Sequence, residues 1–334
     1  MTIIDIAKES GYSVSTVSRV LNNRKDVSPI AKQKIMEIVE AHNFIPNNNA
    51  KHLKQTTTKS ILVIVKGTSN MLFANIIEAV QKRVEASEYT VRVYYLDEDA
   101  NEVSEAIRLC RERKPIGILF LGGNPTYFEE QFADVSVPCV LVTTQADGLG
   151  FSNLSSVSTD DAAAAETAVD YLIAKGHRNI AVLGGDLSAS HTSKQRYRGY
   201  ENSYRKHGMK IDTDYYEKSR FSFDGAYRAM QRLFEKNIPI SAVFAMSDVM
   251  AIGAIRAICD SGRRVPEDIS IIGFDGTLLA DYYNPKIVTI RQGYERIAAR
   301  SMEILFCMID LNSPAVHELV PFEMQNTESV KELN

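Results

Sequence analysis

Ser15 and Arg19 stand four residues apart in the run Ser13-Val14-Ser15-Thr16-Val17-Ser18-Arg19-Val20-Leu21, the spacing of neighbours on one helical face. Val14 joins them at the N-terminal edge, while Val17, Val20 and Leu21 make an apolar stripe on the other side. A short, polar and basic face of this kind suits the floor of a DNA major groove, where a guanidinium can donate twice to the acceptor edge of guanine. A second chemistry belongs to the far end of the chain. Asp275 follows a β-rich run ending at Phe274, and ligands of α/β sheets bind at the carboxyl ends of strands. Asp160 and Ser247 also fall at strand ends. Phe73 and Phe221 can offer apolar faces to a ring, or simply pack in a core. Read alone, Arg196 is a surface arginine.

The elements that would position the first group are short helices. Thr2 followed three residues later by Asp5 fits a helix start. Ile6, Ala7 and Ser10 then share a narrow face, Gly11 can supply the positive φ at which the helix stops, and Ser13 can cap the next. A third helix starts at Ser28-Pro29 and carries Ile35, Ile38 and Val39 to about Asn43. On these residues alone, two readings stand: a DNA-reading helix-turn-helix, or a generic three-helix packing unit. Residues 46–59 end in a polar threonine run and read as a linker in which Leu53 is the lone apolar residue, exposed and solvated.

From Ser60 onward, short β-rich runs alternate with helical patterns. One series has strands near 61–65, 91–95, 116–120 and 138–142, with helices near 75–86, 101–113 and 125–132. A second has strands near 157–159, 180–183, 242–245 and 269–274, with helices near 161–175, 193–207, 223–236 and 247–261. Alternation of this kind builds parallel sheets covered on both faces. Two series predict two similar lobes with a ligand cleft between them.

Composition sets the outer bounds. In 334 residues, 45% hydrophobic and 24% charged content is ordinary for a soluble globular protein. Residues 1–59 hold nine Lys and Arg against five Asp and Glu, a net of +4, so with −4 overall the remainder carries −8. A basic headpiece on an acidic body directs a nucleic-acid surface to one end. The start Met1-Thr2-Ile3-Ile4-Asp5 lacks the basic and long apolar regions of a signal peptide, and no run reaches the length of a membrane span. Cys110, Cys139, Cys259 and Cys307 have no paired metal spacing and are expected to be reduced, mostly buried thiols of a cytoplasmic protein.

Enzyme motifs fail on inspection. Phe274-Asp275-Gly276-Thr277-Leu278 imitates the Asp-x-Asp-Gly-Thr start of haloacid-dehalogenase-like phosphatases, but Gly273 stands where the nucleophilic aspartate must be. Gly122-Gly123 and Gly184-Gly185 extend to no phosphate-binding loop. His191 and its neighbouring serines make no spaced triad, and the histidine reads as a solvated loop residue. Neither metal nor cofactor is expected.

Motif by motif, the N-terminal segment resembles the headpiece of the lac repressor family of bacterial transcriptional regulators. The likeness rests on Thr2-Ile3-Ile4-Asp5-Ile6-Ala7, Gly11-Tyr12-Ser13, Ser15-Thr16-Val17-Ser18-Arg19-Val20-Leu21-Asn22, Val27-Ser28 and Asn43-Phe44-Ile45-Pro46-Asn47. Tyr12 replaces the small aliphatic residue usual in that turn. In the body, Gly176-His177-Arg178-Asn179-Ile180-Ala181, Arg196-Tyr197-Arg198-Gly199-Tyr200, Ser247-Asp248-Val249-Met250-Ala251 and Arg264-Val265-Pro266-Glu267-Asp268 extend the resemblance over nearly the whole chain.

The resemblance implies an α/β protein: an all-α helix-turn-helix headpiece (1–45), a hinge helix and linker (46–59), and a bilobed effector-binding and dimerisation domain like the periplasmic binding proteins (60–330). Lobe 1 is expected at about 60–158 and 292–320, lobe 2 at about 160–290 and 321–330. It implies that Val14, Ser15, Thr16, Arg19, Asn22 and Lys25 meet operator DNA. At the hinge, Leu53 would wedge into the minor groove of a kinked duplex, with Ala50 allowing close approach and Lys54 near phosphates. In the cleft, Arg196 and Asp275 would donate to and accept from effector hydroxyls, helped by Phe73, Asp160, Phe221 and Ser247. Asp248 is expected to brace its helix rather than touch ligand.

The expected function is a ligand-responsive repressor of carbohydrate-utilisation genes. Its partners would be double-stranded operator DNA, a second copy of the chain, and a sugar or sugar-phosphate effector, with no membrane. The tail from Asn326 has no sustained heptads, so a dimer is expected rather than a tetramer. The alternatives are a sugar-binding protein with no DNA role, and a regulator controlled by a nucleobase or a protein co-regulator.

Overall fold

The computed structural model describes residues 2–21, 24, 27–42, 59–68, 70–85 and 87–333. They fall into two compact units, Met1–Thr58 and Lys59–Asn334.

In the first unit, α1 (Ile3–Ser10), α2 (Val14–Leu21) and α3 (Pro29–Ala41) pack together. Local chemistry sets each boundary. The Thr2 amide donates to Asp5 Oδ2 at 2.8 Å, and Thr2 Oγ1 accepts from the Asp5 amide at 3.4 Å, a reciprocal cap. Gly11 ends α1 at φ 74°, Ser13 Oγ accepts from the Thr16 amide at 3.2 Å, and Ser28 caps α3 ahead of Pro29. Ile6, Ala7, Val17, Val20 and Ile35 are buried at the centre. The third helix closes at Ala41, shorter than its apolar pattern suggests, where the His42 amide caps back onto Ile38 O.

The second unit has two lobes. Lobe 1 begins with β1 (Ser60–Lys66), α4 (Met71–Val84), β2 (Thr90–Leu96), α5 (Glu102–Arg113), β3 (Gly117–Leu121), α6 (Pro125–Gln131), β4 (Cys139–Val142) and β5 (Leu154–Ser158). Lobe 2 follows with α7 (Asp161–Ala174), β6 (Ile180–Gly184), α8 (His191–Lys206), β7 (Tyr216–Lys218), α9 (Phe223–Glu235), β8 (Ala242–Ala245) and α10 (Asp248–Asp260). It continues through β9 (Ser270–Asp275), α11 (Leu278–Tyr282) and β10 (Val288–Gln292). The chain then returns to lobe 1 for α12 (Tyr294–Leu311) and β11 (His317–Leu319), and ends in lobe 2 with β12 (Phe322–Gln325).

The sheets run β11-β5-β4-β3-β1-β2 and β12-β10-β9-β8-β6-β7. All pairings are parallel except β10 with β12. The continuous apolar strands follow from this architecture, because both faces are covered. Ile61, Val63 and Val65 pack with α4 and α12, whereas Leu62 and Ile64 face Val103, Leu109 and Phe128 on the other side. Each such side chain contributes about 1.5–3 kcal/mol by leaving water.

Several details differ from the pattern reading. The helix expected from residue 75 begins at Met71, capped by Asn70, so Phe73 lies in its first turn. Strand β5 starts at Leu154, because Leu154 and Ser155 already pair with Cys139 and Val140. The cysteines are not mostly buried: Cys139 is, Cys110 is half-buried, and Cys259 and Cys307 are exposed on the outer faces of their helices. Beyond β12, the tail lies along lobe 2, with the Val288 amide on Ser329 Oγ at 2.8 Å and the Leu333 amide on Lys175 O at 2.8 Å. No helix of the described residues is long and apolar enough to cross a membrane.

Candidate functional site

Helix α2 buries Val17 and Val20 and leaves Val14, Ser15 and Arg19 exposed. Thr16 is half-buried, and Ser13 Oγ lies 2.7 Å from Ser15 Oγ and 2.9 Å from Thr16 Oγ1. A hydroxyl cluster at a helix N-terminus followed by an exposed arginine one turn on can engage a phosphate and a base edge together. Asn22, Lys25, Ala50, Leu53 and Lys54 lie outside the described residues.

The strand order of lobe 1 reverses between β1 and β3, and that of lobe 2 between β6 and β8. Ligands bind at such switch points, outside the strands' carboxyl ends. Here the two meet across a cleft of about 1200 Å³, with Lys66, Phe73, Asn124 and Tyr127 on one wall and Arg196, Phe221 and Gln292 on the other.

Arg196, in α8, is 4% exposed. Its Nε donates to Asp161 Oδ1 at 2.8 Å, Nη1 donates to Met246 O, and Nη2 lies 3.7 Å from Asp275 Oδ1. Its guanidinium stacks 3.6 Å above the Phe274 ring. The surface reading of this arginine therefore gives way to a buried one. Asp275 is 1% exposed; Oδ1 accepts from Gln292 Nε2 at 2.8 Å, and Oδ2 has no hydrogen-bond partner among the described residues. An orphaned buried acceptor is costly, about 1–3 kcal/mol, unless something in the cleft donates to it.

Burial raises the Asp275 carboxyl above the ordinary value; the Arg196 guanidinium pulls it back, and Asp248 and Asp161 push it further up. Burial likewise raises Asp248, against hydrogen bonds from Thr289 and Thr277, and raises Asp161 against Arg196. Three buried carboxyls share one guanidinium. Asp248 does brace, as expected: Oδ1 accepts from Thr289 Oγ1 at 2.6 Å, and Oδ2 accepts from the Thr277 amide at 2.6 Å. This also explains Gly273, where a Cβ would sit 2.5 Å from Asp248 Oδ1, so the site has no room for the second carboxylate of a phosphatase.

The remaining sequence candidates divide. Phe73 and Phe221 line the cleft. Asp160 is exposed and caps α7, accepting from the Ala162 and Ala163 amides at 3.1 and 3.0 Å. Ser247 is buried and caps α10, accepting from the Met250 amide at 3.2 Å. Neither of these two is among the cleft-lining residues, and nor is the buried Asp275; of the expected effector contacts, Phe73, Arg196 and Phe221 are. His191 is no loop residue: it opens α8, half-buried on the cleft wall, where burial lowers its pKa. Sequence reasoning missed Gln292, Lys66 and Asn124. Their only signal is position at a strand's carboxyl end, or just beyond one.

The cleft's cations are matched by carboxylates. Lys66 pairs with Glu102 at 2.7 Å, Lys218 with Asp186 at 2.5 Å, Arg228 with Asp224 at 3.2 Å and Arg232 with Glu217 at 2.6 Å. At the mouth, Arg220 of lobe 2 reaches Asp97 at 2.7 Å and Glu98 at 2.8 Å in lobe 1. Nearby, Asn124 Nδ2 donates to Ala189 O at 3.0 Å, a second bond between the lobes.

Residues 2–47 match the model for bacterial regulatory proteins of the lacI family, and residues 169–330 match a periplasmic binding protein-like domain. The HTH-type transcriptional regulator MalR of Clostridium butyricum is 36% identical over 332 residues, covering 98% of this chain and 99% of the relative. Among solved structures, the lac repressor dimer bound to operator and the anti-inducer ONPF superimposes with a TM-score of 0.74 at 23% identity, over 99% of each chain. A transcriptional regulator CelR–cellobiose complex gives 0.72 at 23% identity, over 98% of this chain and 99% of the other. At that identity, these two show a shared fold.

Proposed function

Because the chain belongs to the LacI family of bacterial transcriptional regulators, we propose that it is a repressor of carbohydrate-utilisation genes whose grip on DNA answers to a sugar or sugar phosphate in the cleft. It acts as a cytoplasmic homodimer on a pseudo-palindromic operator, one headpiece per half-site. Val14, Ser15 and Arg19 read base edges, with Thr16, Asn22 and Lys25 beside them. Paired hinges carrying Ala50, Leu53 and Lys54 open the central minor groove.

The observation that carries the effector assignment is the orphaned Asp275 Oδ2 at the carboxyl end of β9, close to the cleft-lining Arg196. Hydroxyls that both donate and accept fit that pair. Phe73 and Phe221 supply apolar faces for a sugar ring. Asp160 and Ser247 serve as the helix caps that hold the adjoining strand ends in place. The family's basic headpiece favours a regulator over a plain solute-binding protein or an enzyme.

The test is an operator-binding titration. An operator selected from random DNA by the full-length protein is held at half-saturation while sugars and sugar phosphates are added. The expected result is release or tightening by one of them, by a coupling of about 1–3 kcal/mol, lost in Asp275→Ala. Nucleobases acting where every sugar fails would overturn the carbohydrate assignment while leaving the regulator intact.

A further inference from the structure

On the wall of lobe 1, the cleft holds a buried ion pair for which the effector site so far has no use. Lys66 ends β1 at the switch point and lines the cleft. Its ammonium donates to Glu102 Oε2 at 2.7 Å and lies 4.8 Å from the centroid of the Tyr127 ring. The Lys66 side chain is 11% exposed and that of Glu102 0%. Glu102 Oε1 accepts from the Asn124 amide at 2.5 Å, so the same carboxylate fixes the loop that leads into α6 and Tyr127.

A buried ion pair is a poor way to gain stability, because desolvation consumes most of the attraction and an apolar pair of similar volume does as well. Its value lies in placing a donor. An ammonium has three N–H groups, of which Glu102 takes one and the ring face engages another. Donor capacity therefore remains on a group that faces ligand space.

Charge narrows the class of ligand. The wall's cations are already paired with carboxylates, so a phosphate would have to displace an internal partner and approach a surface of balanced charge. A neutral polyol meets no such penalty. Size permits a larger one, because a cleft of about 1200 Å³ has room for more than a single sugar ring.

Resting on the carbohydrate reading, we propose that Lys66 and Tyr127 form a second saccharide subsite on lobe 1, so that the effector is a neutral saccharide of at least two units. One unit binds at Asp275 and Arg196. The next places a hydroxyl on Lys66 and an apolar ring face against Tyr127.

Isothermal titration of the full-length protein tests this with glucose, cellobiose, maltose, maltotriose and glucose 6-phosphate. The wild type should bind a disaccharide or trisaccharide at least about tenfold tighter than glucose, with the 6-phosphate no better than glucose. Lys66→Met alone strands the Glu102 carboxylate, so the decisive variant is Lys66→Met with Glu102→Gln, which removes both charges. Half-buried Tyr127→Ala is an independent probe that leaves the pair in place. Each should cut the oligosaccharide advantage about tenfold while glucose affinity changes less than about twofold. A folded variant that keeps the whole advantage overturns the subsite, as does equal loss for mono- and disaccharide. Preference of the wild type for the 6-phosphate overturns the neutral class. A wild type that binds none of the five sinks the carbohydrate reading itself, and the subsite with it.

Discussion

Asp248 holds Thr277 in the loop that follows β9, accepting from its amide at 2.6 Å and from its hydroxyl at 2.9 Å. Two residues before Thr277 stands Asp275, whose φ of 109° is a conformation that non-glycine residues avoid. Asp248 also accepts from Thr289 Oγ1, which in turn accepts from the Gly276 amide at 3.3 Å. The strained loop is thus pinned on both sides by one carboxylate. Asp248→Ala should destabilise the protein by roughly 2–4 kcal/mol, because it leaves several buried donors unpaired. Asp248→Asn keeps an acceptor for Thr277 and should cost less, yet still weaken effector binding. Chemical denaturation and calorimetric titration separate the two effects; an Asn variant with unchanged affinity would show that the pin does not set the Asp275 geometry.

The proton on Asp275 gives a pH signature. Burial raises its carboxyl from 3.8 to about 8 against the pull of Arg196. Between those values the folded state binds more protons than the unfolded chain, so this group makes stability fall as pH rises through that window. Effector binding has the opposite sign. A hydroxyl donating to Oδ2 favours the carboxylate, so binding releases a proton and tightens with rising pH until about 8. The groups that face this carboxyl are Arg196, Asp248, Asp161 and Gln292. Titration in two buffers of different ionisation enthalpy should give different heats at pH 6.5, and Asp275→Asn should abolish the difference. Identical heats in the wild type would mean that ligand meets an already ionised Asp275.

How far the sequence reached depends on the range of each interaction. The caps at Thr2, Ser13 and Ser28 involve residues three apart and could be read directly. So could the β-rich strands, because burial on both faces leaves continuous apolar runs. The place of Phe73 and Phe221 on the cleft wall followed from strand and helix ends together with the family resemblance, whereas the burial of Asp275 out of the lining did not. Asp160 and Ser247 stand at equivalent ends but serve as caps, since a polar residue after a strand suits either role. Lys66 and Glu102 are 36 residues apart, and Arg220 and Asp97 are 123 apart; only the packed fold joins them. Gln292 carries no motif, and its partner Asp275 lies on the neighbouring strand.

Arg220 latches the mouth of the cleft, and exposure limits what the latch is worth in stability. Its side chain is 53% exposed, so Arg220→Ala should change global stability by less than about 1 kcal/mol. Local opening is the better readout, because Glu98 Oε2 also accepts from the Phe221 amide at 3.3 Å. Amide exchange near residues 97–99 and 219–222 should quicken in the variant and become insensitive to added salt. Unchanged exchange in both segments would show that the Arg220 ion pairs do not hold the cleft mouth closed.

On the headpiece, Arg19 is exposed on the same face of α2 as Ser15 and Val14. If its guanidinium reads guanine, Arg19→Ala should cost about 1–3 kcal/mol and relax preference at one base pair in each half-site. Selection from a randomised operator library, wild type against variant, measures this directly. A uniform loss over all sequences would instead make Arg19 a phosphate contact.

Leu53 tests the hinge. A leucine wedged between base steps must repay an unstacking cost of a few kcal/mol through the added contact that a bent duplex allows. On the proposed reading, Leu53→Ala would remove the wedge but leave the basic groups that attract phosphates. Specific operator affinity and the bend should therefore fall together, while weak binding to random DNA keeps its salt dependence. Circular-permutation gel mobility reports the bend, and competition with random duplex reports specificity. A variant that still bends its operator to the wild-type angle with undiminished affinity would remove Leu53 from the recognition mechanism, leaving the headpieces to carry specificity by themselves.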